Sequence, residues 1–208
     1  MQKGNRPRIG ITQRLDRIPG RDEYRDGLDT RWAGILWNLG LVAIPLNNCN
    51  PDPAEYLNQL GLDGFLLSGG NDLHDVPERN ILETAILEFA SRYRLPVLGI
   101  CRGLQMINHY QGGSLVELEG HVATRHLLHG ELAAQRDSNA VNSYHHWAVT
   151  NATLGRDLVP LAYAPDGSIE AFRHESRPWL ALMWHPEREV PLMDDDLQLI
   201  RIQLGGDA

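Results

Sequence analysis

Short apolar runs alternate with segments of helical periodicity along the first half of the chain. The runs span four to six residues and indicate buried strands. Between them, apolar residues recur at intervals of three and four, which indicates amphipathic helices. This alternation is typical of a mostly parallel sheet with helices on both faces, so we predict an α/β fold. The predicted strands are residues 8–12, 41–46, 64–67 and a run that ends at Cys101, and the predicted helices lie near residues 28–39, 54–60, 81–92 and 102–111.

The periodicity also indicates which residues share a helix face and where two helices end. Gly40 and the pair Gly112-Gly113 follow the last periodic residues of the first and fourth helices, where glycine commonly ends a helix. The residues at helical spacing are Leu28, Trp32, Ile35 and Leu39 in the first helix, and Ile81, Ala85, Phe89 and Arg92, which share one face, in the third.

From about Gly120 to Pro178 the helical periodicity gives way to short β-like runs separated by turns. Pro165-Asp166-Gly167-Ser168 is typical of a hairpin turn, so we expect a smaller antiparallel β region in the C-terminal half. No linker or repeat interrupts the chain, which predicts one domain over residues 1–208. The predicted elements here are strands 140–144, 158–162, 169–173 and 179–184, and a helix 194–204 with Leu197, Ile200 and Leu204 inward.

The composition is that of a globular protein and narrows the choice of partner. Hydrophobic residues make up 42% of the 208 residues and charged residues 22%, both ordinary values. The formal net charge of −8 disfavours nucleic acid, because phosphate binding depends on clustered cations. Lysine occurs once, at Lys3, so Schiff-base or lysine-base chemistry has no candidate. We therefore expect no nucleic-acid partner, and the sequence leaves open whether the chain forms a homo-oligomer.

Two features indicate the cellular compartment. No apolar run approaches the roughly 20 residues that a membrane-spanning helix needs, and the first residues lead into no signal-peptide core. We therefore predict a cytoplasmic protein without a membrane partner. In a reducing compartment the two cysteines are expected to stay free thiols, and Cys49 is interpreted as incidental.

Cys101 lies between an apolar run and a helical segment, in the sequence Gly99-Ile100-Cys101-Arg102-Gly103. A Gly-x-Cys-x-Gly turn between strand and helix forces a tight bend that pushes the sulfur out of the sheet, and the glycines remove β-carbons that would clash. The following helix begins beneath the sulfur, where its N–H groups and dipole favour thiolate over thiol. A buried structural cysteine is the alternative for a lone Cys, but the two glycines and the motif described next favour a nucleophile.

A second buried run, residues 180–184, delivers His185-Pro186-Glu187 at its end. A cysteine nucleophile needs an imidazole to exchange its proton, and a carboxylate on the second ring nitrogen fixes the tautomer. Pro186 biases His185 away from the helical region, so we predict an extended unit that turns both side chains the same way. A surface turn would be the default interpretation if Cys101 were absent.

The cysteine elbow together with His-Pro-Glu at a separate strand end resembles the class I glutamine amidotransferase family. The likeness spans most of the chain and is strongest to its free-standing γ-glutamyl hydrolase branch, which includes γ-glutamyl-GABA hydrolases. Two more segments carry it: residues 68–73 (Ser-Gly-Gly-Asn-Asp-Leu) look like the family's oxyanion loop, and residues 141–146 (Val-Asn-Ser-Tyr-His-His) look like its substrate-facing segment. The resemblance implies a glutamine amidotransferase-like hydrolase domain without a cofactor, and it alone implies a small-molecule γ-glutamyl substrate.

The resemblance also implies roles for individual residues. Cys101 would be the nucleophile, His185 the base and Glu187 its orienter. The backbone N–H of Arg102 and one in the Gly69 to Gly70 turn would form the oxyanion hole. Preorganised donors of this kind lower the barrier by roughly 3 kcal/mol each. The remaining candidates for substrate binding are Asn71, Gln105, Tyr144, His145, His146 and Trp147.

The histidine-rich middle of the chain raises the question of a metal. The candidates are His121, His126 and His129, with His145 and His146 further on. These histidines are not accompanied by paired cysteines and do not form a His-Glu-x-x-His helix motif, which are the usual sequence signs of a zinc site. Amide hydrolysis by a thiolate needs no metal, so we predict none and interpret these imidazoles as surface or pocket-lining groups. Trp147 stands where the family often has glutamine, and this departure leaves the substrate open.

Residues 23–29 (Glu-Tyr-Arg-Asp-Gly-Leu-Asp), followed by Trp32, look like a smaller group in the family, the γ-glutamyl-CDP-amidate hydrolases of capsule phosphoramidate biosynthesis. The alternative is a solvated helix start in which acidic residues favour the N-terminus. No glycine-rich phosphate loop is present in the sequence, so phosphate binding would depend on arginines such as Arg14, Arg25 or Arg125.

Three functions stay open at this point. The first is a stand-alone hydrolase that cleaves a γ-glutamyl amide through a thioester and releases glutamate, with γ-glutamyl-CDP-amidate or γ-glutamyl-GABA as leading substrates. The second is a glutaminase subunit that delivers ammonia to a separate synthase. The third is a non-catalytic relative that binds a small ligand, against which the complete set of Cys101, His185 and Glu187 argues.

Overall fold

The computed structural model describes residues 6–205, so Lys3 lies outside the described part. Its helices are α1 (Arg31–Asn38), α2 (Pro53–Leu60), α3 (Pro77–Tyr93), α4 (Arg102–Tyr110) and α5 (Asp194–Leu204). Its strands are β1 (Arg8–Ile11), β2 (Arg14–Arg17), β3 (Tyr24–Gly27), β4 (Val42–Pro45), β5 (Gly64–Leu67), β6 (Val97–Ile100), β7 (Val116–Glu117), β8 (Val122–Leu127), β9 (Ala140–Tyr144), β10 (Trp147–Ala148), β11 (Leu158–Tyr163), β12 (Ile169–His174) and β13 (Trp179–Leu182).

A seven-stranded sheet in the order β11-β12-β13-β6-β5-β1-β4 forms the centre of the fold. The pairs β4/β1, β1/β5, β5/β6 and β6/β13 are parallel, while β12 runs antiparallel to both of its neighbours. Every residue of β5, β6 and β13 is buried, as expected for the middle of a mostly parallel sheet. The predicted α/β fold is therefore confirmed.

The order of the strands explains why helices cover both faces. The connection from β1 through α1 leads to one side of β1, and the connections through α2 and α3 return across β1 to the other side. Parallel crossovers are right-handed, so α1 and the α2/α3 pair lie on opposite faces. The carboxyl ends of β5, β6 and β13 consequently meet at one rim, where ligands bind in folds of this kind.

Local signals account for where the helices begin and end. The Asp52 side chain accepts a hydrogen bond from the Glu55 N–H at 3.0 Å, and proline follows it at the first position of α2. Gly61 ends the helix in the left-handed conformation at φ 57°. Helix α3 also begins with a proline, Pro77.

The helix face that Ile81, Ala85, Phe89 and Arg92 share is not the most buried side of α3. Ile81 is 60% exposed, and Ala85 and Phe89 are partly buried against the core. The fully buried residues of the helix are Arg79, Leu82, Glu83, Ile86, Leu87 and Ala90. Two charged residues on this side belong to an ion network described below.

The segment before α1 also differs from expectation. Residues 23–29 do not start a helix, because Tyr24–Gly27 pairs with Arg14–Arg17 as an antiparallel hairpin. Helix α1 begins only at Arg31, and Leu28 precedes it as a partly buried residue. Trp32 and Ile35, two of the residues at helical spacing, are buried in α1.

The second half holds the expected antiparallel strands, some at the edge of the central sheet and others in small sheets of their own. β11 and β12 continue the central sheet, joined by a turn at residues 165–167. Two small sheets stand apart from it, β8 with β9 and β7 with β10. In α5, Ile200 and Leu204 are buried and Leu197 is partly buried against the core. Within residues 6–205, no helix combines the length and hydrophobicity needed to cross a bilayer.

Candidate active site

Cys101 occupies a strained turn between β6 and α4. Its backbone has φ 50° and ψ −100°, a region that non-glycine residues rarely adopt and that marks functional sites. Its N–H donates to the Leu182 carbonyl at 2.7 Å, which fixes the turn against β13. A β-carbon on Gly99 would lie 2.7 Å from the backbone carbon of Gly103, and one on Gly103 would collide with the Leu67 carbonyl oxygen. Both flanking glycines are therefore needed for this bend.

His185 and Glu187 follow the carboxyl end of β13. Nδ1 of His185 lies 2.7 Å from Oε1 of Glu187, and both side chains are buried. His185 is extended, at φ −110° and ψ 91°, as the following proline predicts. The extended unit predicted for the whole tripeptide is wrong, however, because Pro186–Arg188 forms a 3₁₀ turn. This turn folds the carboxylate back onto the ring two residues earlier.

The Cys101 thiol and the His185 ring are coupled electrostatically. Burial alone would raise the pKa of the thiol, but the His185 ring, and to a lesser degree His145, hold it below its ordinary value. Burial alone would lower the pKa of His185, yet Cys101 and Glu187 raise it to about 9. Nε2 of His185 is buried and has no hydrogen-bond partner among residues 6–205. The pair therefore favours thiolate with imidazolium.

Asn142 holds His185 in place, a role that the sequence analysis did not assign. Its side-chain oxygen accepts the His185 N–H at 3.0 Å, and its amide donates to the His185 carbonyl at 2.8 Å. The same amide donates to Glu189 at 2.7 Å. An asparagine in a strand two residues before a tyrosine carries no sequence signal for this role, because its partners lie more than 40 positions away.

The Gly69 to Gly70 turn lies beside the imidazole. A β-carbon on Gly69 would be 2.6 Å from Cε1 of His185, so glycine is required for the ring to approach the backbone this closely. Gly70 has φ 100°, in the region that favours glycine. Asn71 does not face the cleft: its side chain accepts the Leu15 N–H at 3.0 Å and donates to the Leu15 carbonyl at 3.2 Å. It fastens this loop to β2.

Behind the loop lies a buried ion network formed by Arg79, Glu83 and Arg102. Arg79 donates to Glu83 at 2.9 Å and to the carbonyls of Ser68 at 2.5 Å and Gly69 at 3.1 Å. Arg102, the residue after the cysteine, pairs with the other carboxylate oxygen of Glu83. Its side chain is buried and does not face solvent. The network thus ties the glycine turn to the cysteine elbow.

The side chains from Tyr144 to Trp147 have different surroundings: some face the site, some the core and some the solvent. The Tyr144 ring packs edge-on against His185 at 6.0 Å between centroids. His145 is buried and its Nδ1 lies 3.0 Å from the Trp147 carbonyl, while His146 is exposed. Gln105 donates to the same Trp147 carbonyl at 3.0 Å, so its amide supports this segment.

A cleft of about 420 Å³ opens beside His185 and Glu187. Arg188 lines this cleft, and its guanidinium carbon lies 4.6 Å from the centroid of the Tyr144 ring. Arg14 also lines the cleft and donates a hydrogen bond to the Asp16 carboxylate at 2.9 Å. Of the arginines named for phosphate, Arg25 pairs with Glu23 and Arg125 with Glu189, away from the cleft. The lining residues are Arg14, Asp16, Gly27, Leu28, Asp29, Trp32, Ser68, Gly69, Gly70, His185, Glu187 and Arg188.

The candidate site thus gathers residues that follow the carboxyl ends of three strands, β5, β6 and β13. His185, Glu187, Gly69 and Gly70 line the cleft, and Cys101 lies behind them, 7% exposed. Arg188 was missed by the sequence analysis, although it directly follows the His-Pro-Glu motif. Segment 23–29 reaches the cleft only through its last three residues.

The fold defines the class of protein. A glutamine amidotransferase from Thermotoga maritima superposes with a TM-score of 0.66, covering 95% of this chain and 83% of that one at 15% identity, a likeness that bears on the fold alone. The fold is that of the class I glutamine amidotransferase-like proteins.

Sequence comparison identifies the family. The Peptidase C26 family matches residues 9–187, so the chain belongs to this family and is an amide hydrolase. The γ-glutamyl-CDP-amidate hydrolase of Campylobacter jejuni subsp. jejuni serotype O:2 is 34% identical over 204 residues, covering 93% of this chain and 95% of the relative. The γ-glutamyl-γ-aminobutyrate hydrolase of Escherichia coli O157:H7 is 26% identical, covering 88% of this chain and 86% of the relative.

Proposed function

We propose that this amide hydrolase cleaves the γ-glutamyl amide bond of a small molecule through a Cys101 thioester and releases glutamate. The observation that carries the proposal is the buried 2.7 Å contact between His185 and Glu187 beside a thiol whose pKa is lowered. A thiolate nucleophile, an imidazolium and an orienting carboxylate are the parts that acyl transfer needs.

The reaction follows from these parts in two halves. The Cys101 thiolate attacks the γ-carbonyl carbon, and the N–H groups of Arg102 and the Gly69 to Gly70 turn stabilise the oxyanion. The His185 imidazolium gives its proton to the leaving nitrogen as the C–N bond breaks, which leaves the thioester. Neutral His185 then takes a proton from water, whose oxygen attacks the thioester, and glutamate leaves as the C–S bond breaks, which restores the thiolate and the imidazolium.

Two arginines that line the cleft, among the carboxylates of Asp16, Asp29 and Glu187, support γ-glutamyl-CDP-amidate, the substrate from capsule phosphoramidate biosynthesis, over γ-glutamyl-GABA. Of the two arginines that line the cleft, Arg188 has the weaker ion pair, because its Nε lies 3.9 Å from Oε1 of Glu187. Arg14 adds a second guanidinium, half-exposed beside Asp16. Two guanidiniums suit the adjacent phosphates of a nucleoside diphosphate, whereas the GABA product carries one carboxylate.

We expect Arg188→Gln to raise KM for γ-glutamyl-CDP-amidate by about 10- to 100-fold, the effect of losing one charge-assisted hydrogen bond pair. Initial rates of glutamate release from γ-glutamyl-CDP-amidate, γ-glutamyl-GABA and glutamine, measured side by side with the chain alone, test this. The kcat for glutamine should stay unchanged, because its leaving ammonia carries no anion.

Arg25→Gln is the matched control, since Arg25 is exposed and paired with Glu23 outside the cleft. An equal KM increase for all three substrates would show that Arg188 does not recognise the leaving group. No turnover of any substrate without a second protein would instead support the glutaminase-subunit alternative, and binding without turnover the non-catalytic one.

The thiol–imidazole coupling predicts the pH dependence of kcat/KM. The thiolate persists to a pH below the ordinary cysteine pKa, and His185 must be protonated to supply the leaving nitrogen. Activity is therefore present below the His185 pKa and lost as pH rises through about 9. Glu187→Gln removes one of the charges that raise this pKa, so the alkaline limb should move to lower pH and kcat fall by roughly 10²-fold.

A pH–rate series on both proteins measures this, with Glu175→Gln, an exposed carboxylate elsewhere, as control. An alkaline limb that stays in place, together with a kcat within a few-fold, would rule out the orienting role of Glu187.

We infer a cytoplasmic protein that acts on a small molecule. Both cysteines are free thiols, Cys49 exposed and Cys101 buried, which suits a reducing compartment.

A further inference from the structure

Four ionisable side chains converge on one point away from the cysteine elbow. His121 precedes β8, His126 lies on β8, His145 follows β9 and Glu170 lies on β12. Oε1 of Glu170 is 3.9 Å from Nδ1 of His121, 3.6 Å from Nε2 of His126 and 3.5 Å from Nε2 of His145. One ligand atom from each residue lies within 4.8 Å of the others. This set is called the histidine–glutamate cluster.

Three residues of the cluster are buried, His126 is partly buried, and most of the inward atoms lack hydrogen-bond partners among the described residues. Glu170 is fully buried, and neither of its carboxylate oxygens has a hydrogen bond among the described residues. The same holds for Nε2 of His145 and for both ring nitrogens of His126. Buried polar atoms of this kind are costly unless something satisfies them. One ring nitrogen of each of the three imidazoles faces the same carboxylate oxygen of Glu170. The nitrogen–oxygen distances are too long for good hydrogen bonds but short enough for the four groups to interact strongly.

Outer contacts orient two of the rings. Nε2 of His121 lies 3.0 Å from Oδ2 of Asp166, and its Nδ1, which faces Glu170, also lies 3.3 Å from the Ser143 hydroxyl. Nδ1 of His145 lies 3.0 Å from the Trp147 carbonyl, which leaves Nε2 facing Glu170. A carboxylate or carbonyl that receives the far N–H of each ring is the usual support of a metal-bound histidine.

We propose that the histidine–glutamate cluster binds one divalent transition-metal ion, zinc by its donor set. Imidazole nitrogen and carboxylate oxygen are ligands that Zn²⁺ takes in tetrahedral sites. Bonds of about 2.0–2.1 Å place neighbouring ligand atoms of a tetrahedron about 3.3 Å apart. The three nitrogens lie 3.5 to 3.9 Å from the carboxylate oxygen, so small side-chain movements complete the geometry.

The spacing of the four ligands along the chain does not indicate this metal site. The expectation of no metal rested on the intervals between histidines, but the ligands come from three separate strands, and Glu170 lies in a run interpreted only as a strand. His129 and His146, which the spacing grouped with the others, are exposed and outside the cluster.

The position of the ion indicates its role. Four protein ligands fill a tetrahedron, which is typical of a structural site. The bound ion would fasten the separate β8/β9 ribbon to β12 of the central sheet. It would also fix His145, whose neighbour Trp147 supports Gln105 through its carbonyl. Metal binding thereby stiffens the wall behind the substrate segment and does not depend on the proposed reaction.

Zinc binding to the apo protein, prepared by dialysis against a chelator, tests the proposal. Calorimetric titration with Zn²⁺ should give one site per chain and a Tm that rises by several degrees with saturating metal. Because a thiolate also binds zinc, the titration is repeated with Cys101→Ala, in which the site should persist. Glu170→Gln in that background should weaken binding by at least about 100-fold, while His129→Gln should leave it unchanged.

Two readouts keep the test independent of variant folding. Co²⁺ loaded into the wild type should give the intense visible absorption of a tetrahedral ion without a thiolate charge-transfer band. Correlation of ring nitrogen and carbon-bound proton signals by NMR should show three histidines shifting on Zn²⁺ addition. Zinc binding that disappears in Cys101→Ala, equal binding in Glu170→Gln, or no shift of these rings would overturn the proposal.

Discussion

Replacement of Cys101 by alanine is expected to lower kcat by at least about 10⁴-fold, because removal of the nucleophile leaves only binding and oxyanion stabilisation. The fold should persist, since alanine keeps the β-carbon that the turn already accommodates at φ 50°. Glutamate release under saturating substrate measures the rate, and thermal unfolding measures the fold.

Cys49→Ala provides the matched control. The chain has only these two cysteines, and Cys49 is exposed in a loop while Cys101 lies in the elbow. The Cys49 variant should keep the full rate. A Cys101→Ala protein that folds and retains more than about 1% of the rate would assign the chemistry to another group or to activated water, and the thioester would be wrong.

Glu83→Gln is expected to reduce the free energy of unfolding by about 3–5 kcal/mol, the cost of leaving buried charges without their partner. Glu83 is fully buried and pairs with both Arg79 and Arg102. Burial alone would raise the pKa of Glu83, but these two guanidiniums hold it below its ordinary value. Neutralising the carboxylate therefore leaves two cations facing each other in the interior. Urea denaturation followed by circular dichroism measures the loss.

Glu88→Gln on the same helix is the control, because Glu88 is exposed and such surface changes stay within about 0.5 kcal/mol. The Glu83 variant should also lose kcat, since Arg79 holds the carbonyls of Ser68 and Gly69. A stability loss below about 1 kcal/mol would mean that the network contributes little to the fold.

The elements that the sequence predicts are those in which a local pattern has a local cause. Gly99 and Gly103 indicate the elbow because only glycine tolerates the close approach there. The apolar runs of β5 and β6 indicate a central sheet because both faces are covered. The His-Pro-Glu motif could be placed at a strand end because the apolar run before it is likewise that of a buried strand, β13.

The elements that it does not predict depend on partners far along the chain. The buried face of α3 includes Arg79 and Glu83, whose burial is possible only because Arg102 lies opposite them. No periodicity rule places charged residues in a core. Likewise, Glu170 lies in a strand pattern and acquires its surroundings from β8 and the end of β9.

The hairpin β2–β3 was missed because its eight residues, mostly polar, lack the alternation of a half-buried strand. Its exposed face needs no apolar side chains, and its pairing comes from backbone hydrogen bonds.

That hairpin stands outside the seven-stranded sheet, attached mainly through Asn71 to Leu15 and through Asn48 to Asp26 at 2.7 Å. It nevertheless contributes Arg14, Asp16 and Gly27 to the cleft. Of the two arginines proposed to contact the departing group, Arg14 thus lies on a peripheral hairpin, whereas Arg188 and the proposed catalytic residues follow strands of the central sheet. Grafting this hairpin between relatives should therefore alter part of the substrate preference and leave the reacting groups in place.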